Sequence, residues 1–156
     1  MEIGGLPLHP LVVHAAVVLA PLAALVAIVF AVVPRWRWLT RWPAVVTALI
    51  AAGSVFAARL SGEDLLDARP ELAPLVAVHE DRGELLLWVT LGFAVVVLVA
   101  AWMLGGSTPL PNGRGARTSA VPIVDTVLAV LLVLAALAVL VQVVLTGDAG
   151  SRAVWG

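Results

Sequence analysis

Long apolar runs alternate with short polar connections along the chain. Runs free of Asp, Glu, Lys and Arg cover residues 11–33, 43–58, 85–104 and 126–145. A helix needs about 20 apolar residues to cross the hydrocarbon core of a bilayer. The pattern therefore predicts an all-α, polytopic membrane protein with a single domain, residues 1–156. Its four transmembrane helices are expected at about 11–33, 43–60, 75–104 and 122–146.

The second connection is expected to hold a shorter element. Ser61 followed three residues later by Asp64 fits a helix-capping box, and Pro70 would end the helix that it starts. These residues predict a short outer helix at about 62–68. Pro74 suits the first turn of a further helix, so the third transmembrane helix is expected to begin near Leu75.

Charged residues are distributed unevenly among the connections. Arginines without acids occupy the first and third connections, at Arg35, Arg37, Arg41, Arg114 and Arg117. Acids gather in the second, at Glu63, Asp64, Asp67, Glu71, Glu80 and Asp81. Because arginines accumulate on the cytoplasmic side of membrane proteins, the acidic connection and both termini are expected outside. The four helices then form an antiparallel up-and-down bundle.

Composition excludes several function classes. Hydrophobic residues make up 62% of the chain and cysteine is absent, which excludes disulfides, thiolate metal sites, iron–sulfur clusters and covalently attached c-type haem. A net charge of −1 without a basic tract does not suit binding to nucleic acid. The chain has no nucleophile elbow, phosphate-binding loop, dinucleotide fingerprint or zincin pair. A redox carrier or an accessory subunit is therefore favoured over an enzyme.

Two features of the apolar runs predict how the helices associate. Stripes of alanine on the first and second helices allow close packing of backbones in lipid; they comprise Ala16, Ala20, Ala23, Ala27, Ala31, Ala44, Ala48 and Ala52. A Val-His pair at the start of helices one and three, and an L-[ST]-G-[DE] sequence at residues 60–63 and 145–148, indicate a two-helix unit used twice. Such 2+2 parallel repeats tend to place a binding site at their interface.

Histidines are the main candidates for chemistry, because His9, His14 and His79 all fall on the same side of the predicted membrane. If helices one and three lie on a diagonal, His14 and His79 face each other across the bundle axis. Two opposed imidazoles suit axial ligation of haem b in a helix bundle. Gly83, four residues after His79, would leave space for a cofactor on the same helix face.

Other interpretations of the histidines stay open. A divalent metal, Zn, Cu or Fe, suits imidazole and carboxylate ligands, here drawn from His9, His14, His79, Glu63, Glu80 and Asp148. For either cofactor, Glu63, Glu80 and Asp148 would accept hydrogen bonds that fix the imidazole tautomers. The histidines would otherwise take part in pH sensing or proton transfer, or simply hydrogen-bond a backbone carbonyl or water.

Few other polar residues lie within the apolar runs, which disfavours a solute carrier. Asp125 is expected in the first turn of helix four, where Arg114 or Arg117 would pair with it. Gln142 is expected to hydrogen-bond a neighbouring helix or to support the histidines.

The order of these motifs resembles a bacterial membrane family, the domain of unknown function 2231. The resemblance rests on His9-Pro10-Leu11-Val12-Val13-His14, Gly62-Glu63-Asp64, His79 and the closing segment 146–156, and so covers nearly the whole chain. It implies four transmembrane helices in a bacterial plasma membrane. Some relatives adjoin Rieske-type or cytochrome c modules, which implies a redox setting. Glu63 and Ala15 depart from the family pattern, where an Asp and an aromatic residue are common.

Two functional hypotheses follow. In the first, His14 and His79 bind haem b or a transition metal in the outer leaflet for electron transfer with redox partner proteins. In the second, the protein is a non-catalytic accessory subunit whose alanine stripes and acidic loop dock a larger membrane complex. A homo-oligomer through an alanine-rich face is compatible with both hypotheses.

Overall fold

Four long helices account for most of the chain in a computed structural model, which describes residues 2–3, 6–118 and 121–156, with side chains from residue 9 onwards. The helices are α1 (Leu8–Val32), α2 (Arg37–Ala68), α3 (Ala73–Met103) and α4 (Pro122–Trp155). A single 3-10 turn precedes α2 and another precedes α3. Ahead of α1, the two-residue strands β1 (Glu2–Ile3) and β2 (Leu6–Pro7) pair antiparallel.

The helices pack in chain order around a square, with α4 closing against α1, so that α1 and α3 lie across a diagonal. All four are long and apolar enough to cross a membrane. The antiparallel four-helix fold predicted from the sequence is thus confirmed. The bundle has two ends with different chemistry: the histidine end, where α1 and α3 begin, and the arginine end, where α2 and α4 begin.

Helices α2 and α4 continue further than the apolar runs predict. The expected outer helix at 62–68 is the last part of α2, because Ser61 lies inside the helix and donates its hydroxyl to the carbonyl of Ala58 at 2.8 Å. Helix α4 runs nine residues past its expected end to Trp155. Ion pairs one turn apart stabilise both extensions, Arg59 with Glu63 and Asp148 with Arg152, each at 3.0 Å.

Small side chains let the helices approach closely in the bundle core. The predicted alanine stripes on α1 and α2 are all buried within the chain, and Phe30, Phe93 and Leu132 are among the larger core residues. The accessory-subunit hypothesis used these stripes to dock a partner. That part of the hypothesis is wrong, because the stripes already pack α1 against the rest of the bundle.

At the arginine end, one buried side chain connects three helix ends. Arg37 donates to the carbonyls of Phe30 and Ala31 in the last turn of α1, at 3.1 and 2.8 Å, and to that of Gly105 beyond α3, at 2.7 Å. Carbonyls at the C-terminus of a helix have no partner within the helix. The guanidinium therefore supplies the hydrogen bonds that water would otherwise donate to these buried carbonyls.

Asp125 in the first turn of α4 completes this arrangement. Its carboxylate lies 3.5 Å from the Arg37 guanidinium and accepts from the backbone N–H of Gly105 at 3.1 Å. The sequence instead suggested Arg114 or Arg117 as its partner. Arg37, in the first turn of α2, reaches across the arginine end to Asp125, whereas Arg117 bonds to the carbonyl of Ala101 at 3.1 Å.

Loss of Arg37 should therefore destabilise the whole bundle. An Arg37→Gln substitution removes the guanidinium from the Asp125 carboxylate and from several buried carbonyls, and we expect it to lower the free energy of unfolding by about 3–5 kcal/mol. Unfolding in mixed micelles, followed by circular dichroism, measures this. The exposed Arg35→Gln variant is the matched control and should change stability by less than about 0.5 kcal/mol. Equal effects of the two substitutions would contradict the role given to Arg37.

Candidate functional site

The histidine end brings two imidazoles together across the bundle diagonal. His9 lies in the first turn of α1 and His79 in the second turn of α3. Their ring centroids are 6.3 Å apart, with the ring planes nearly perpendicular at 77°. Both side chains are half-buried. The structure thus assembles a pair of histidines from the two halves of the chain, as expected for a repeated two-helix unit.

Each ring is held in the same way by the helix that follows its own. The Nδ1 of His9 lies 3.1 Å from the carbonyl oxygen of Ala58 on α2 and 3.0 Å from the Ser61 hydroxyl. The Nδ1 of His79 lies 3.0 Å from the carbonyl oxygen of Thr146 on α4. A carbonyl only accepts hydrogen bonds, so the contacts with Ala58 and Thr146 are made by the tautomer that carries the proton on Nδ1. In the neutral rings the lone pair is then on Nε2, which is the state in which a histidine binds a metal.

Glycines explain why the rings reach these carbonyls. Gly62 and Gly150 each lie four residues after the carbonyl that accepts from a histidine, and in a helix the side chain at that position leans back over it. A Cβ at Gly62 would lie 3.2 Å from the Cε1 of His9, and one at Gly150 would lie 3.0 Å from the Cε1 of His79. Glycine at both positions therefore leaves room for the imidazoles.

This correspondence corrects the predicted repeat. The residue that matches His79 is His9 rather than His14, and the residue that matches Gly62 is Gly150 rather than Gly147. The L-[ST]-G-[DE] alignment is displaced by three residues, close to one helical turn. The sequence alignment matched residues of similar type. In the structure, the feature that the two halves share is a carbonyl that accepts from a histidine, followed by a glycine one turn later.

His14 does not face His79. It is exposed and its Nδ1 contacts the carbonyl of Pro10 in its own helix. The physical reason is rotational: five residues separate His9 from His14, which turns the side chain by about 140° around a helix of 3.6 residues per turn. Since His9 faces the bundle axis, His14 lies on the outer surface of α1.

The carboxylates of the predicted metal set lie elsewhere. Glu63 and Asp148 are about half exposed and pair with Arg59 and Arg152, while Glu80 is exposed. In the part of the chain with described side chains, no group of three or more His, Cys, Asp or Glu residues is arranged to hold a metal ion. The six-residue set is not brought together, and backbone carbonyls take the positions expected for Glu63, Glu80 and Asp148 around the imidazoles.

A polar contact below the pair fixes α3 against α4. Buried Gln142 and Thr146 both donate to the carbonyl of Arg82 at 3.1 Å. The Thr146 residue thus uses its hydroxyl toward Arg82 and its carbonyl toward His79. Gln142 forms the interhelical hydrogen bond expected for it. Gly83, next along α3, has nothing within 4 Å of where a Cβ would be, which leaves open space near His79.

The pair lies where the apolar part of the bundle ends. Beyond the Ala58 carbonyl, α2 becomes charged at Arg59, and beyond Thr146, α4 becomes charged at Asp148. Helix α2 continues for ten residues from Ala58 to Ala68, about 15 Å at 1.5 Å per residue. Helices α2 and α4 therefore continue beyond the level of the two imidazoles.

Residues 5–156 match the family described as predicted membrane protein (DUF2231). The chain belongs to this family. The match confirms the resemblance drawn from the sequence motifs, and it agrees with the four apolar helices. No curated protein and no solved structure matches the chain.

Substitution of the two neighbouring glycines of α4 should have opposite effects. Gly150→Ala places a methyl group against the His79 ring, and we expect the free energy of unfolding to fall by about 1–3 kcal/mol, as for other overpacked sites. Gly147→Ala meets nothing within 4 Å and should stabilise α4 by up to about 1 kcal/mol, because alanine favours the helix. Unfolding in mixed micelles measures both. Equal changes in the two variants would show that His79 does not pack on Gly150.

Proposed function

We propose that His9 and His79 together bind one transition-metal centre, with haem b as the favoured cofactor, and that the protein transfers electrons at the membrane boundary. The observation that carries the proposal is the pair itself. Two half-buried imidazoles from different halves of the chain lie with their ring centroids 6.3 Å apart, each with Nδ1 within hydrogen-bond distance of a carbonyl.

The spacing of the rings fits ligation of a shared metal. Imidazole nitrogens bind metals at about 2.0–2.1 Å, so two rings on opposite sides of one ion have centroids about 6 Å apart. The observed separation of His9 and His79 is 6.3 Å.

The number of ligands favours haem over a bare ion. Protein sites for zinc normally supply three or four ligands, and the described part of the chain groups only His9 and His79 here. Haem needs only two axial ligands from the protein and supplies the other four nitrogens itself. Gly83, one turn after His79 on α3, has nothing within 4 Å of where a Cβ would be, and this open space supports entry of a flat cofactor.

The residues around the pair would adjust the cofactor that it holds. A hydrogen bond from Nδ1 to a carbonyl raises the basicity of the metal-binding nitrogen and fixes its orientation. Ala58, Ser61 and Thr146 provide these acceptors. When bound, haem b would accept and release single electrons. The carbonyls would stabilise its oxidised state by strengthening donation from both imidazoles.

The distribution of charge supports a position outside the cytoplasm for this site. The arginine end carries five of the nine arginines and one of the ten acids, Asp125, whereas the histidine end carries the other nine acids. By the positive-inside rule the arginine end faces the cytoplasm of a bacterial plasma membrane. The histidine end and both termini then face outward, where redox partner proteins would meet an acidic surface.

A visible absorption spectrum tests the proposal. The protein purified in detergent, offered haem and then reduced with dithionite, should show a Soret band that shifts and an α band that sharpens, as for two axial histidines. His9→Ala and His79→Ala should each abolish this spectrum, because one imidazole is then missing. His14→Ala, on the outer face of α1, is the matched control and should retain it.

Three results would contradict the proposed function in different ways. Loss of the spectrum in His14→Ala but not in His9→Ala would show that the ligand on α1 is His14, on the outer face, and not His9. A colourless protein that contains stoichiometric copper, zinc or iron would show that the site binds a metal ion and not haem. A colourless and metal-free protein after haem is offered would favour the accessory-subunit hypothesis.

A further inference from the structure

A cleft of about 660 Å³ opens between α1 and α4 at the arginine end, far from the histidine pair. Its walls are mostly apolar and include Ala31, Val32, Ala129, Val130, Val133 and Leu134. Val32, Val130 and Leu134 are more than half exposed, so the cleft opens toward the surroundings of the bundle. In a membrane protein those surroundings are acyl chains.

The mouth of the cleft is polar and basic. It is lined by Arg37 with its ion-pair partner Asp125, by Arg117, and by the segment from Gly105 to Ser107. Arg37 already pairs with Asp125, whereas Arg117 is exposed, bonds to the carbonyl of Ala101 and lies 5.3 Å from the Trp102 ring. Arg117 has five N–H donors in a planar array that matches a phosphate group. The cleft therefore combines the Arg117 guanidinium, which suits a phosphate group, with an apolar groove.

We propose that this cleft binds one anionic phospholipid, with its phosphate on Arg117 and one acyl chain along α4. The positive charge of the arginine end complements an anionic headgroup. Residues 33–42 and 104–126 contain five arginines and one acid, Asp125, which is paired with Arg37. Basic pockets between transmembrane helices bind anionic headgroups in this way.

The length of the cleft along α4 also matches the thickness of one leaflet of the hydrocarbon core. From Pro122 to Leu134, the first and last residues of α4 that line the cleft, twelve steps of 1.5 Å give about 18 Å. One leaflet of hydrocarbon is about 15 Å thick. An acyl chain that begins beside Arg117 thus extends through its own leaflet within the cleft, and the headgroup remains at the membrane surface.

Native mass spectrometry of the full-length protein in detergent tests this assignment. The probes are phosphatidylglycerol and phosphatidylcholine with identical acyl chains. We expect phosphatidylglycerol to bind at one equivalent and more tightly than phosphatidylcholine. In Arg117→Gln its binding should be about fivefold weaker, the effect of losing one arginine contact near the membrane. Arg35→Gln removes the same charge from the same end outside the cleft, and should bind as the wild type does.

A second pair of variants tests the acyl channel. Ala129→Leu fills the wall of the cleft and should weaken phosphatidylglycerol binding, whereas Ala138→Leu, on an exposed part of α4, should not. Melting curves of all variants check that the bundle is intact. Inorganic phosphate at millimolar concentration should fail to displace the lipid, because it cannot occupy the channel.

Several outcomes would overturn the assignment. Equal binding of the two lipids would remove the role of charge. Equal weakening by Arg35→Gln and Arg117→Gln would indicate general attraction to a basic surface rather than a site. Displacement by phosphate, together with unchanged binding in Ala129→Leu, would show an anion site that does not hold an acyl chain.

Discussion

A backbone carbonyl that water cannot reach must find a donor within the protein, and this constraint organises both ends of the bundle. At the arginine end the orphan carbonyls of α1 and α3 accept from Arg37, Arg41 and Arg117. At the histidine end the carbonyls of Ala58 and Thr146 lie within helices and accept a further hydrogen bond from an imidazole. The long polar side chains thus serve the backbone first. Their chemistry follows from what remains after these bonds are made.

The two ends use the constraint for different purposes. An arginine bound to several carbonyls is fixed and has few N–H groups left for a ligand, so Arg37 is a structural residue. A histidine bound through Nδ1 is also fixed, but it keeps its second nitrogen available. The same type of contact therefore stabilises the bundle at one end and prepares a pair of ligands at the other. Glycines at positions 62 and 150 are what make the second case sterically feasible.

Much of the fold follows from sequence, because the requirements of a bilayer are simple. Uninterrupted apolar runs gave the number of helices, and the alternation of arginine and acidic connections gave their antiparallel order. The ends of α2 and α4 were missed, since hydropathy does not detect helix that continues above the membrane through Glu63 or Asp148. The site was half predicted. His79 was singled out and the diagonal arrangement of α1 and α3 was considered, but the first helix was expected to begin at about residue 11, whereas α1 begins at Leu8 and includes His9. The spacing of Ala58 with Gly62 and Thr146 with Gly150 carried the missing information, and no general rule of sequence reading identifies a carbonyl as the partner of a histidine.

His9 and His79, and not His14, are assigned to one site in which each Nδ1 carries the proton. Solid-state NMR of the protein in bilayers, with ¹⁵N- and ¹³C-labelled histidine, measures the tautomer and the proximity of the rings directly. Single-histidine variants assign the signals. We expect His9 and His79 to be protonated at Nδ1 and to show a through-space correlation with each other. His14 should show no such correlation. A correlation between His14 and His79, or protonation of His9 and His79 at Nε2 alone, would contradict this assignment.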